Sequence, residues 1–146
     1  MNSLPQPCFN IVLVAPEIPQ NTGAIGRLCV CVDAALHLIK PLGFSLDEAH
    51  RRRAGLDYWP YLNWSLYENW NDFLARNNNP ENMIFCSTKT TQNLYECTLR
   101  PGDWLVFGAE TRGLPPAVRA HVPPAQQLRL AMRAGQRSLN LSNAVA

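Results

Sequence analysis

Hydrophobic and polar positions along this chain change their period several times, and each change marks an element. "FNIVLVA", Phe9–Ala15, is a continuous apolar run rich in Val and Ile. Such a run predicts a strand buried on both faces. "PEIPQNTG" reads as a loop punctuated by two prolines, and "GAIGRLCVCVDAA" then takes helical spacing with Asn21 or Thr22 as N-cap. "LHLIK" predicts a second strand, "PLGFS" a turn, and "LDEAHRRRAG" a short polar helix. An aromatic segment, "LDYWPYLNWSLYENW", leads into "NWNDFLARN", an amphipathic helix stopped by the Asn run before Pro80. "NMIFCST" and "DWLVFG" predict further strands, "PPAVRAHV" a short helix with proline in its first turn, and "QLRLAM" a last strand.

Apolar strands alternating with helices predict an α/β fold with a mainly parallel sheet and flanking helices. In such sheets ligands sit beyond the carboxyl ends of the strands. Three loops fall there: "PQNTGAIGR", "FGAETRGLPP" and "RAGQRSLNLSNA". All are rich in Gly, Asn, Ser, Thr and Arg.

Length and charge narrow the picture only a little. The 146 residues fit one domain, and a net charge of +2 permits a nucleic-acid partner without demanding one. Five cysteines occur without a C-x-x-C pair, and the three histidines are far apart, so no metal site is expected. Cys29, Cys31 and Cys86, in apolar runs, read as buried small residues in a reducing, cytoplasmic setting. No apolar stretch reaches the roughly 18 residues of a membrane span, and no secretory signal is visible.

The loops are more informative about chemistry. Together they contain no His, no Cys and one carboxylate, Glu110. That disfavours Ser-His-Asp hydrolysis and metal-assisted hydrolysis. It suits group transfer by positioning, on a substrate that brings its own activated group. The start of the helix at Asn21–Gly23 favours an anion, with Arg27 about one turn further in. Neither a dinucleotide fingerprint nor a P-loop is present.

In this order and spacing, "NTGAIGR", "FGAETRGLP" and "RSLNLSNAV" resemble the three signature motifs of the SPOUT superfamily, in its RNA ribose 2′-O-methyltransferase branch. "PEIPQNTG" and "RRAGLDYW" make the chain most similar to the minimal, single-domain tRNA (cytidine/uridine-2′-O)-methyltransferases that act on the wobble nucleotide of leucine tRNAs. The resemblance runs from Asn10 to Val145. It implies a C-terminal trefoil knot, S-adenosylmethionine as methyl donor (S-adenosylhomocysteine as product), tRNA as substrate and a homodimer with the active site at its interface. By position it implies cofactor contacts at Cys86, Gly108, Leu130, Met132, Ser138 and Leu139. It implies a catalytic Arg27 with Asn21, Ser142 and Asn143 around it.

A guanidinium holds its proton throughout the physiological range and is a poor general base. We therefore expect Arg27 to bind the target phosphate and stabilise the developing 2′-alkoxide. Arg51, Arg52 and Arg53 in "HRRRAG" are expected to contact tRNA phosphates. Tyr58, Trp59, Tyr61, Trp64 and Trp70 read either as base-stacking surfaces or, more commonly for such residues, as core and interface. The rival readings are a ribosomal RNA methyltransferase of the same fold and a non-catalytic RNA-binding module. Family members continue after "NLSNAV" as a helix, so the sequence is expected to be one methyltransferase domain, residues 1–146, without that final helix.

Overall fold

The computed structural model describes residues 9–45, 59–77, 83–86, 102–109, 114–115, 118 and 127–128. Within them six strands form one sheet: β1 (Asn10–Val14), β2 (Ala35–Ile39), β3 (Trp64–Tyr67), β4 (Met83–Cys86), β5 (Trp104–Phe107) and β6 (Gln127–Leu128). Their order is β3-β2-β1-β5-β4-β6, and every pairing is parallel. The α/β, parallel reading of the sequence therefore holds. The polar helix expected at 46–55, with Arg51, Arg52 and Arg53, lies outside the described residues. So does the C-terminal motif.

The strands are apolar on both sides because both faces are covered. All five residues of β1 and all five of β2 are buried. Alternate side chains then divide between two cores. Ile11, Leu13, Leu36, Leu38 and Phe107 pack with Ile25 and Cys29 of helix α1 (Pro19–Val32) and with Trp59 and Leu62. Val12, Val14, Ile39, Phe85 and Val106 pack with Phe73 and Leu74 of helix α2 (Trp70–Arg76). Phe73 and Phe85 are fully buried, and each contributes about 1.5–3 kcal/mol relative to exposure.

Helix α2 forms where the sequence placed it. Asn69 caps it by accepting from the Asp72 N–H at 2.8 Å, and the Asp72 carboxylate takes the Glu68 N–H at 3.0 Å. Asn77 closes the other end, its Nδ2 donating to the Phe73 carbonyl at 2.9 Å. Helix α1 corrects the sequence reading. It starts at Pro19, with Ile18 as N-cap, so Asn21 and Thr22 lie inside its first turn. The second proline of "PEIPQ" does not break the element. It opens it, because proline is pre-organised for the first helical position, where no N–H is needed.

One buried polar chain crosses the α2 face. Asn10 Nδ2 donates to the Gly102 carbonyl at 3.3 Å, which leaves Asn10 Oδ1 to accept from His37 Nε2 at 3.2 Å. His37 Nδ1 must then accept from the Tyr67 hydroxyl at 2.8 Å, and Tyr67 in turn accepts from Asn77 Nδ2 at 3.1 Å. Each donor meets one acceptor, and neutral His37 is built into the sequence of bonds. Burial, and secondarily the Arg76 charge, lowers its pKa from 6.5 to about 4. Between those values the unfolded chain binds a proton that the folded chain refuses. Stability from this group is therefore full above pH 6.5 and falls as pH drops toward 4, by on the order of 3 kcal/mol. Urea unfolding at pH 7 and pH 5 is expected to show that decline in the native protein and a flatter profile in His37→Gln.

Candidate active site

Strand order marks a candidate site. From β1 the chain moves outward to β2 and β3, whereas β5 comes back to lie between β1 and β4. β1 and β5 are thus neighbours whose onward connections leave in opposite directions. Crevices at such a switch point, beyond the carboxyl ends of the strands, are where open parallel sheets bind ligands.

The β1 side of this crevice is made by the turn from Val14 to Pro19 and the first turns of α1. Ala15 takes a left-handed backbone, φ 54°, and its N–H donates to the Ile39 carbonyl at 2.8 Å. Gly23 and Gly26 are buried along with Thr22, Ile25 and Cys29, so α1 lies close on the sheet. Asn21 is buried and Arg27 is exposed. The helix thus separates the two expected catalytic residues, holding Asn21 inward and presenting Arg27 outward. Thr22 is 1 % exposed, and its Oγ1 has no hydrogen-bond partner among the described residues. An unpaired buried hydroxyl costs about 1–3 kcal/mol. In the sequence alone Thr22 offers only a possible cap.

The β5 and β4 side carries two of the six expected cofactor residues, Cys86 and Gly108. Phe107 stands in register with Leu13 on one side and Cys86 on the other. Gly108 follows, half-buried, and then buried Ala109. Burial pushes the Cys86 thiol up to about 12, so it is a neutral, weakly polar wall and not a nucleophile. Half-buried Cys86 and the side-chain-free Gly108 offer a small apolar surface with accessible backbone, and Phe107 is buried behind them. That fits a flat heterocycle bound by stacking and by main-chain hydrogen bonds, as the adenosine of S-adenosylmethionine requires. Leu130, Met132, Ser138, Leu139, Ser142, Asn143 and Glu110 lie outside the described residues.

Among the aromatic candidates, Trp59 is buried and packs against Trp64, with ring centroids 5.1 Å apart. Trp70 packs on Phe73 and Phe85 in the α2 core. These three are structural. Tyr61, 80 % exposed, retains the base-stacking reading, and Tyr58 lies outside the described residues. Among the described residues no group of three His, Cys, Asp or Glu gathers as a metal site. No described helix is long and apolar enough to cross a membrane.

Comparison with known proteins agrees with this fold. The sequence profile described as the SpoU rRNA Methylase family matches residues 8–146. The tRNA (cytidine(34)-2′-O)-methyltransferase of Burkholderia pseudomallei is 52% identical over 139 residues, covering 94% of this chain and 89% of that protein. A solved structure on the 2-OH methylation of C/U34 on tRNA superposes with a TM-score of 0.81 at 42% identity, covering 94% of this chain and 88% of that one. The SpoU methyltransferase AviRb from Streptomyces viridochromogenes, in complex with AdoMet, shares the fold at a TM-score of 0.79 and 17% identity, covering 98% of this chain and 56% of that one.

Proposed function

This chain belongs to the SpoU rRNA Methylase family, and on that premise we propose that it methylates a tRNA ribose at the 2′-oxygen of the wobble nucleotide, in leucine tRNAs, using S-adenosylmethionine. The observation that carries the reading is the pairing of an Arg27-bearing helix after β1 with the apolar strands β4 and β5, the latter followed by Gly108, across one switch point. Its relatives at about half identity are named for tRNA cytidine-34 2′-O-methylation, which favours tRNA over the ribosomal RNA of the broader family description. The site geometry and those relatives also favour an enzyme over a binding module.

The cofactor supplies a sulfonium methyl whose departure leaves a neutral thioether. Cys86, Gly108, Leu130, Met132, Ser138 and Leu139 would hold it, chiefly through shape and main-chain groups. Arg27 would bind the substrate phosphate and offset the negative charge that the ribose 2′-oxygen gains as its O–H bond breaks, before bonding to the transferred methyl consumes that charge. The hydroxyl proton leaves to solvent. Asn21, being buried, fixes the helix more than it touches substrate, while Ser142 and Asn143 complete the site.

A homodimer fits the outer face of α1. Ala24, Cys31 and Val32 are exposed there around Arg27, with Leu28 half-buried, and a second copy would cover them. A trefoil knot at the C-terminal side accords with β6 returning to β4 after β5 has inserted between β1 and β4. A cytoplasmic location follows from the tRNA substrate and is in keeping with the free thiols of Cys29, Cys31 and Cys86.

Labelled methyl transfer to bulk tRNA, with binding followed against salt, tests the reading. Transfer to tRNA is expected, and to ribosomal RNA is not. If Arg51, Arg52 and Arg53 hold phosphates, their triple alanine variant flattens the log–log salt slope by about 0.7–0.9 for each lost contact. An unchanged slope removes that patch from the interface.

A further inference from the structure

The loop after β2 touches the loop after β1 at one point that leaves no room for a side chain. The Gly43 N–H donates to the Pro16 carbonyl at 3.0 Å. A Cβ on Gly43 would stand 2.6 Å from the Glu17 carbonyl oxygen, 2.9 Å from its Cα and 3.1 Å from its carbonyl carbon. All three are main-chain atoms, which cannot swing aside as a side chain can. Gly43 is not in the left-handed region, so its backbone conformation is open to any residue. The close approach to Glu17 is therefore what excludes a side chain.

That contact lies one residue before the N-cap of α1. At the entry to this helix Ile18 makes no side-chain cap, and the first turn holds no acidic residue. Ala15 on the other side of the turn is tied to β2 through Ile39. The Pro16–Ile18 segment is thus braced from β2 and its following loop, and α1 starts from it.

We infer that Gly43 is a positioning residue for methyl transfer: its missing side chain lets the loop after β2 brace the Pro16–Ile18 backbone and so sets the start of the helix that carries Asn21 and Arg27. The inference rests on the proposed role of Arg27. To reach ordinary contact in Gly43→Ala, at 3.4 Å or more, the Glu17 carbonyl would retreat by at least roughly 0.8 Å from its 2.6 Å gap. Misplacement of a reacting group by about 1 Å costs up to roughly 100-fold in rate.

Gly102 provides the internal control. It sits at the amino end of β5, has φ 89° and would meet nothing within 4 Å of an added Cβ. Gly102→Ala is expected to lower the Tm by about 4 °C through backbone strain and to leave turnover unchanged. Gly43→Ala is expected to lower kcat about 10-fold, with cofactor affinity and the KM for tRNA within about twofold of wild type. Hydrogen exchange should quicken in the peptide spanning Pro16–Leu28 of Gly43→Ala and stay unchanged there in Gly102→Ala. Exchange reads the brace directly, whereas methyl transfer by the wild type tests the functional reading by itself. Wild-type kcat per folded molecule and unchanged exchange in Gly43→Ala would overturn the inference. Should that variant fold poorly, Glu17→Gly read against Glu17→Ala loosens the same backbone while the loss of the carboxylate cancels. Several-fold lower turnover in the glycine variant supports the brace, and equal turnover overturns it.

Discussion

Replacing Arg27 by lysine will lower kcat roughly 100-fold, and replacing it by alanine still more, while the folded structure and cofactor affinity persist. Arg27 is exposed on the outward side of α1, so its removal empties no core. Lysine keeps the charge but not the planar fork that meets a phosphate and an adjacent oxygen together. Any oxygen-stabilising group aimed at the 2′-position acts mainly in the transition state, when charge develops there. The loss should accordingly appear in kcat and in kcat/KM alike. Single-turnover methyl transfer checks it, with calorimetry of the cofactor as the control. Near-normal turnover in Arg27→Lys would contradict the assigned role.

The second large effect is expected at Gly108. Gly108→Val should reduce cofactor affinity by at least about 100-fold, because a branched side chain would occupy the space in which a bound ligand meets the end of β5. The backbone there is not in the left-handed region, so strain does not account for the glycine. Gly108 is half-buried at a strand end, and the cores formed by Phe107, Leu13 and Val106 lie behind it. Stability should therefore change much less than binding. Isothermal calorimetry beside a thermal melt separates the two, and normal affinity in the variant would refute the placement.

Much of the fold could be read before any coordinates. β1, β4 and β5, and β2 apart from His37, announce themselves as apolar runs because both faces of the sheet are covered. β3 did not, since "WSLY" is a short edge strand with three half-buried residues inside an aromatic stretch. The start of α1 was misplaced because Pro19 was read as a breaker when it was an opener. Longer-range features were invisible for a different reason. His37 finds Asn10 and Tyr67 across 27 and 30 residues, and nothing in local pattern encodes such a meeting. Gly43 looked like an ordinary turn glycine, and its contact with Glu17 depends on how two loops are stacked. At the site, the spacing of Asn21 and Arg27 was legible. That one faces inward and the other outward needed the packing of α1 on the sheet.

The central claim is tested most directly by locating the methyl group. Purified enzyme, S-adenosylmethionine and unmodified leucine tRNA are incubated, and the tRNA is digested and mapped by mass spectrometry. The account predicts a single added methyl on the ribose 2′-oxygen of the wobble nucleotide, lost in Arg27→Ala. A methyl on a base, on another nucleotide, or undiminished in that variant would contradict it.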